Sequence, residues 1–360
     1  MTPATPGATG AIPGAPPGPA PAVPAAPASG ISARIEGAAG CILLDRPRAL
    51  NALDAAMIDG VAAALRAFRD DPAVQLVLLE GAGGRAFCAG GDVRMVRNAA
   101  LAGDADAIEG FFAAEYALNR AIAEFPKPWI SLIDGICMGG GIGLSVHGSH
   151  RVVTEHAVLA MPETAIALFP DVGTSFVLPR LPGSLGHWLA LTGARLHGAE
   201  AVEAGLATHF TPREDLPALR AALLAGDAAA VEAHARPVPP GTVAAKAAAV
   251  DRCFAGNSLP AILAALGAEN TDWAREQLAI LRRMSPTSLC VTRELLRRGG
   301  ALDLAGCLHT ELALTRTVTR HPDFTEGVRA VLVDKDNAPR WTPPTIEAVD
   351  PAAIRALFGD

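Results

Sequence analysis

The spacing of hydrophobic positions changes along the chain at about residue 212. Before that point, short apolar runs alternate with amphipathic stretches and glycine-rich turns. A hairpin is predicted over Ile31–Leu44, and buried strands are predicted at Ala73–Leu79 and Trp129–Ile133. Asp54 is placed to cap the helix that follows the hairpin. Strands that alternate with helices predict an α/β core over residues 31–212.

The two ends of the chain have different patterns. In residues 213–360, apolar positions recur at helical spacing, which predicts a mainly helical C-terminal region with a proline-rich tail from Pro339. Residues 1–30 are mostly Ala, Pro and Gly, and the first charged residue is Arg34. That composition predicts a disordered extension without the basic residues of a secretory or import leader. We therefore expect a cytoplasmic location.

Composition argues against several classes of partner. The formal net charge is -7 over 360 residues, so the basic surplus typical of nucleic-acid binding is absent. No apolar run reaches the roughly 20 residues that a membrane helix needs. The six cysteines are scattered without a C-x-x-C pair, so no zinc or disulfide framework is predicted. We expect a small-molecule substrate, with no nucleic acid, membrane, metal or separate cofactor.

Two glycine-rich turns each lie between a strand pattern and a helix start, at Gly90-Gly91 and at Gly139-Gly140-Gly141. The N–H groups at a helix start are unpaired, and two of them that converge on one point form an oxyanion hole. Two alternatives to an oxyanion hole stay open. The glycines close tight turns and bind nothing, or a turn binds phosphate, although neither turn continues into the Lys-Ser or Lys-Thr of a P-loop.

Three ordered segments resemble the signatures of the enoyl-CoA hydratase/isomerase (crotonase) superfamily: Leu44–Leu53, Ala86–Asp92 and Gly135–Gly141. The resemblance implies a spiral of repeated β-β-α units. It also implies an acyl-CoA substrate whose thioester carbonyl lies between the N–H groups of Gly91 and Gly140. Arg46 and Arg48 stand where the superfamily often contacts the CoA nucleotide, and solvated arginines are the alternative.

The acidic residues distinguish among the reactions of this superfamily. Its hydratases are similar in carrying two glutamates, and the first of those positions is Gly143 here, while the second is Glu163. Because a carboxylate pair serves the addition of water to a double bond, hydratase activity is not expected. Asp171 supplies a new acid where hydratases usually have glycine.

The segment Met161–Gly173 resembles the 3-hydroxyisobutyryl-CoA hydrolase branch of the superfamily, and so do segments near the C-terminus, Met284–Leu289 and Glu326–Asp336. The resemblance covers nearly all of the chain after residue 31. It implies hydrolysis of a short-chain 3-hydroxyacyl-CoA thioester, most closely 3-hydroxyisobutyryl-CoA in valine catabolism. An enoyl-CoA hydratase or isomerase and a non-catalytic acyl-CoA-binding protein are the alternatives.

Site roles follow from the same resemblance. Glu163 and Asp171 are the expected catalytic and substrate-binding residues, Gly140 also binds substrate, and Glu115 is expected to line the substrate site. A solvated helix carboxylate is the alternative for Glu115. Glu163 either activates a water molecule or attacks the thioester directly, and the sequence leaves both routes open. The sequence leaves the oligomeric state open: the resemblance allows a homo-oligomer formed through the C-terminal helices, and the alternative is that this longer helical region covers its own core.

Other reactive residues are predicted to be structural. Cys88 and Cys137 flank the glycine turns, but their apolar neighbours indicate buried packing residues. His147 and His209 lack an accompanying Gly-x-Ser-x-Gly nucleophile motif, so we expect packing or hydrogen-bonding roles for them.

Overall fold

The computed structural model describes residues 30–238 and 240–359, together with Met1. The disordered extension predicted for residues 1–30 therefore lies almost entirely outside the described residues.

Ten strands form two sheets within the described part of the chain. In chain order they are β1 (Ile31–Glu36), β2 (Ala39–Leu44), β3 (Leu76–Gly81), β4 (Ala86–Cys88), β5 (Trp129–Ile133), β6 (Ile136–Met138), β7 (His150–Val153), β8 (Val158–Ala160), β9 (Leu196–His197) and β10 (His209–Phe210). The first sheet has the order β1-β2-β3-β5-β7-β10, and only its β1–β2 hairpin is antiparallel. The second has the order β4-β6-β8-β9, with β9 antiparallel to β8.

Sixteen α-helices connect and cover these sheets in the described residues. They are α1 (Ala55–Arg69), α2 (Val93–Ala102), α3 (Ala105–Ala123), α4 (Gly140–Val146), α5 (Thr174–Val177), α6 (Leu185–Thr192), α7 (Ala199–Glu203), α8 (Leu216–Leu224), α9 (Ala230–His234), α10 (Thr242–Phe254), α11 (Leu259–Glu269), α12 (Asp272–Leu281), α13 (Pro286–Gly299), α14 (Leu304–Val318), α15 (Pro322–Val328) and α16 (Pro351–Ala356). Shorter 3₁₀ segments are Pro47–Ala49, Glu163–Ile166, Leu178–Arg180, Arg213–Asp215 and Ile346–Ala348, and a π-helical turn covers Arg329–Val333.

The order of elements follows the repeated β-β-α pattern that the resemblance implied. β3 in the first sheet is followed by β4 in the second and then by α2, and the same order recurs in β5, β6 and α4. Because β4 and β6 are parallel neighbours, the chain leaves both at the same edge of the second sheet. This arrangement, with the helical region after β10, confirms the predicted α/β fold class.

Local sequence explains where several elements begin. The Asp54 carboxylate accepts a hydrogen bond of 2.9 Å from the N–H of Met57, which caps α1 as predicted. The strand Trp129–Ile133 is buried at every position, so its continuous apolar run fits a strand covered on both faces.

The C-terminal helices cover the core of their own chain. α14 packs against α3, and α15 packs against α2. One buried apolar cluster joins residues from Ile42 to Ile354. The boundary between residues 212 and 213 stays a prediction. Among the described residues, no helix has the combined length and apolarity needed to cross a membrane.

Candidate active site

One cavity of about 500 Å³ is lined by all the residues that were predicted for the substrate site. Gly91, Gly140, Glu115, Glu163 and Asp171 line its wall. The remaining wall is largely apolar, and its members include Leu50, Phe111, Phe112, Ile136, Met138, Leu168, Val331 and Leu332. A cavity of this size with a few convergent polar groups is typical of a small-molecule site.

The two glycine turns bring the predicted oxyanion donors together. Gly140 is the first residue of α4, so its N–H is one of those that a helix leaves unpaired. A Cβ built on Gly140 would lie 3.2 Å from the backbone nitrogen of Gly91, and the two turns therefore adjoin. Gly139 has φ of 48°, and a side chain is disfavoured in this left-handed conformation. Glycine thus permits both the turn and the close approach of a carbonyl.

Neighbouring residues fix the turn that contains Gly91. The N–H of Leu53 donates to the carbonyl of Gly90 at 2.8 Å, and the N–H of Asp92 donates to the carbonyl of Leu53 at 2.7 Å. The guanidinium of Arg46 donates to Asp92 Oδ2 at 3.1 Å from each of two nitrogens. Arg46 therefore braces the turn, whereas the Arg48 side chain is exposed. A role for either arginine toward the CoA nucleotide stays a prediction.

Glu163 is buried at the start of a 3₁₀ segment and faces the second glycine turn. Its side chain is 6% exposed, and Oε2 has no hydrogen-bond partner among the described residues. Oε1 would lie 3.0 Å from a Cβ built on Gly139. Burial and the negative charges of Asp171 and Glu115 raise the pKa of Glu163 well above its usual value. A carboxyl group with a raised pKa is suited to proton transfer near neutral pH.

Asp171 is held by a hydrogen bond from Tyr116 on α3. The hydroxyl of Tyr116 donates to Asp171 Oδ2 at 2.7 Å. Burial raises the pKa of Asp171 to about 6, and the hydrogen bond from Tyr116 partly opposes that shift. Asp171 also lines the cavity, so its carboxylate can contact a ligand there.

Glu115 completes a group of three buried carboxylates. It is 2% exposed on α3, so it is not the solvated helix carboxylate that the sequence also allowed. A Cβ on Gly140 would collide with Glu115 Oε1, which places this carboxylate beside the oxyanion turn. Burial and Asp171 raise the pKa of Glu115 well above its usual value. The cavity wall also includes Arg195 and His197, and both of these side chains are exposed.

The structure gives a steric reason for glycine at position 143. A Cβ on Gly143 would lie 2.6 Å from Val172 Cβ and 2.9 Å from the amide nitrogen of Asn119. Val172 follows Asp171 directly, so the segment that brings in the new acid also fills the space beside Gly143. No room is left in this conformation for the glutamate that hydratases carry there.

The cysteines and histidines considered from the sequence make packing or hydrogen-bonding contacts. Cys88 and Cys137 are fully buried, and burial raises the pKa of Cys88 to about 12, which disfavours a thiolate nucleophile. His147 donates from Nε2 to the Val172 carbonyl at 2.7 Å, and burial lowers its pKa to about 4. His209 bonds to Thr208 and Glu232 instead.

Sequence reasoning missed several residues of the site. Tyr116 carried no motif of its own, and its contact with Asp171 spans 55 positions of the chain. Val331 and Leu332 bring the C-terminal region into the cavity wall, where the guanidinium of Arg94 donates to the Leu332 carbonyl at 2.5 Å. Within residues 30–238 and 240–359, His, Cys, Asp and Glu side chains form no group suited to a metal ion.

Comparison with known proteins gives consistent matches over most of the chain. The sequence model of the family described as "Enoyl-CoA hydratase/isomerase" matches residues 39–358. A curated relative from Xenopus tropicalis, named "3-hydroxyisobutyryl-CoA hydrolase, mitochondrial", is 44% identical over 334 residues, covering 89% of this chain and 86% of the relative. The Homo sapiens protein of the same name is 43% identical over 329 residues, covering 87% and 84%.

Two solved structures share the fold. A protein from Rhodobacter sphaeroides described as an enoyl-CoA hydratase superimposes with a TM-score of 0.87 at 43% identity, covering 91% of this chain and 97% of that one. A protein from Mycobacterium thermoresistibile described as a carnitinyl-CoA dehydratase gives a TM-score of 0.88 at 39% identity, covering 91% and 96%.

The names of the curated relatives contradict the cytoplasmic location predicted from the sequence, because both are called mitochondrial. That prediction was wrong. It rested on the absence of arginines from residues 1–30. The absence of charge from one stretch does not specify where a protein resides.

Proposed function

This chain belongs to the enoyl-CoA hydratase/isomerase family, and we infer that it hydrolyses 3-hydroxyisobutyryl-CoA to 3-hydroxyisobutyrate and CoA, a step of valine catabolism. The names of the curated relatives support this activity. The observation in the site that carries the proposal is the placement of Glu163 and Asp171 beside the paired glycine turns, with Val172 against Gly143.

The proposed chemistry begins at the glycine turns. The N–H groups of Gly91 and Gly140 donate to the thioester oxygen and stabilise the negative charge of the tetrahedral intermediate. One such donor is typically worth roughly 3 kcal/mol in the transition state. Because the surrounding wall is largely apolar, water competes little for these donors.

The carboxylates then have separate tasks. Glu163 activates the attacking water as a general base, or attacks the thioester carbon itself to form a mixed anhydride. Asp171, oriented by Tyr116, accepts a hydrogen bond from the 3-hydroxyl of the substrate or from the attacking water. Glu115 lies beside Gly140 and supplies a further polar contact for the acyl group.

A single turnover in oxygen-18 water tests for direct attack. Label found in the carboxylate of Glu163, located by peptide mass spectrometry, supports direct attack. Label confined to the free acid product is expected of the general-base route and also of an anhydride that water opens at the acyl carbon. The Asp171 carboxylate of the same enzyme is the internal control, because direct attack by Glu163 leaves no label at position 171.

Hydration is the second candidate, because both of these solved structures are described as a hydratase or a dehydratase. The close approach of Val172 to Gly143 argues against it, since the second glutamate of the hydratases has no place here. A panel of acyl-CoAs distinguishes the candidates. Release of free thiol from 3-hydroxyisobutyryl-CoA supports hydrolysis, while loss of enoyl absorbance without thiol release supports hydration. Binding without either change indicates a non-catalytic protein. Homo-oligomer formation stays a prediction.

A further inference from the structure

A fourth buried carboxylate lies behind the Asp171 segment, outside the cavity wall. Glu311 on α14 is 0% exposed. Its Oε2 accepts a hydrogen bond of 2.8 Å from the N–H of Gly173, and its Oε1 accepts one of 3.2 Å from the N–H of Ser175. The hydroxyl of Ser175 also donates to Oε1. All three donors belong to the segment that immediately follows Asp171.

That segment has an unfavourable backbone conformation. Val172 has φ of 53° and Gly173 has φ of 77°, so two consecutive residues lie in the left-handed region. A β-branched residue rarely adopts such a conformation, and it persists only where surrounding contacts impose it. His147 provides one such contact by donating to the Val172 carbonyl. Glu311 provides further contacts, to the N–H groups of Gly173 and Ser175.

The partners of Glu311 indicate that its task is to hold the backbone. No ion pair joins it to a cationic side chain among the described residues, and its hydrogen bonds come from the three donors of the Asp171 segment. The titratable groups that face it are Asp171, Tyr116 and Cys307. A buried carboxyl group without hydrogen bonds is unfavourable in either protonation state, and these contacts compensate for its burial.

We propose that Glu311 is a positioning residue for the reaction: its carboxylate fixes the left-handed turn at Val172-Gly173 and thereby directs Asp171 into the cavity. The proposal rests on the proposed function. Glu311 touches no substrate in this scheme, because the Asp171 segment lies between it and the cavity. Its effect on turnover must therefore pass through Asp171.

A double-mutant cycle tests this dependence. Glu311→Gln keeps the shape but places an amide NH₂, which accepts no hydrogen bond, against the N–H of Gly173 or of Ser175. A misplacement of about 1 Å at a catalytic group costs up to roughly 100-fold in rate. We expect Glu311→Gln to lower kcat/KM for 3-hydroxyisobutyryl-CoA by about 10- to 100-fold. In the Asp171→Asn background the same change should have an effect of less than about 3-fold, since residues that act as a unit are not additive.

A purely structural role predicts the opposite result. The two effects would then multiply, and this outcome would overturn the proposal. Val318→Ala is the matched control for lost stability, because Val318 is buried near the end of the same helix, two turns beyond Glu311. It should lower the melting temperature with little change in kcat/KM. If Glu311→Gln fails to fold, Ser175→Ala removes a single donor and should give a smaller loss with the same dependence on Asp171.

The proposed function and this inference fail in different ways. Absence of thiol release by the wild-type enzyme contradicts the function, whereas wild-type turnover with multiplicative effects contradicts the positioning role. Should the wild-type enzyme lack turnover, a crystal structure of Glu311→Gln decides the question. A shift of the Asp171 carboxylate by about 1 Å or more supports positioning, and an unchanged segment overturns it.

Discussion

Raising the pH from about 5.5 to 7.5 should lower the free energy of unfolding because of Glu311. Burial raises the pKa of this carboxyl from 4.5 to about 8, and the charge of Asp171 adds to the effect, against opposing hydrogen bonds from Ser175 and Gly173. At pH values between 4.5 and about 8, the folded protein retains a proton on Glu311 that the unfolded chain has released. The stabilisation is complete below the unfolded pKa and is lost as the pH rises through the folded pKa.

The magnitude follows from the difference between the two pKa values. Each pH unit in this window changes the free energy of unfolding by about 1.4 kcal/mol per retained proton. The full contribution of Glu311, from a pKa of 4.5 to one of about 8, is therefore about 5 kcal/mol. Over the range from pH 5.5 to 7.5 it amounts to roughly 3 kcal/mol.

Urea unfolding of the wild type and of Glu311→Gln at several pH values measures this contribution. Glutamine does not titrate, so the slope of the free energy of unfolding against pH should be less negative in the variant by about 1.4 kcal/mol per pH unit. Glu109→Gln is the control: its exposed carboxyl pairs with Arg316 and has a lowered pKa, so it stays ionised throughout the window. Identical slopes for the wild type and Glu311→Gln would refute the reasoning.

Two further predictions concern the Asp171 segment. Gly143→Ala should destabilise the protein by roughly 1–3 kcal/mol, because the new Cβ would lie 2.6 Å from the Cβ of Val172. Val172→Gly in the same background removes that Cβ and should recover part of the loss. Wild-type urea stability of the single variant would contradict the steric account. Tyr116→Phe removes a hydrogen bond that lowers the pKa of Asp171. The acid limb of the pH profile of kcat/KM should therefore move to higher pH. An acid limb that does not move would argue that Asp171 does not control it.

Local signals in the sequence were sufficient for the larger elements. The apolar run Trp129–Ile133 is the strand as predicted, and Asp54 caps α1. The run Ala73–Leu79 was placed too early: the strand begins at Leu76, where pairing with Ala39 starts, while Val74 lies in a turn bonded to Asp71. An apolar run shows what is buried, but pairing with a neighbour sets the ends of a strand.

Elements that exist only through tertiary pairing were not predictable. β9 contains two residues, and its register on β8 defines it. The same holds for the site. Family resemblance predicted Glu163 and Asp171. It did not predict Glu311, which contacts the Asp171 segment across 138 positions of the chain. No local pattern signals a contact between residues so far apart, and none signals the left-handed φ of Val172.

Thiol release from 3-hydroxyisobutyryl-CoA by Glu163→Gln tests the central claim most directly. Glutamine preserves the shape of the side chain but accepts no proton, so kcat should fall by about 10²- to 10⁴-fold or more while the circular dichroism spectrum stays unchanged. Glu155→Gln, at an exposed glutamate outside the cavity, should keep wild-type turnover. Near-wild-type turnover by a folded Glu163→Gln variant would contradict the account.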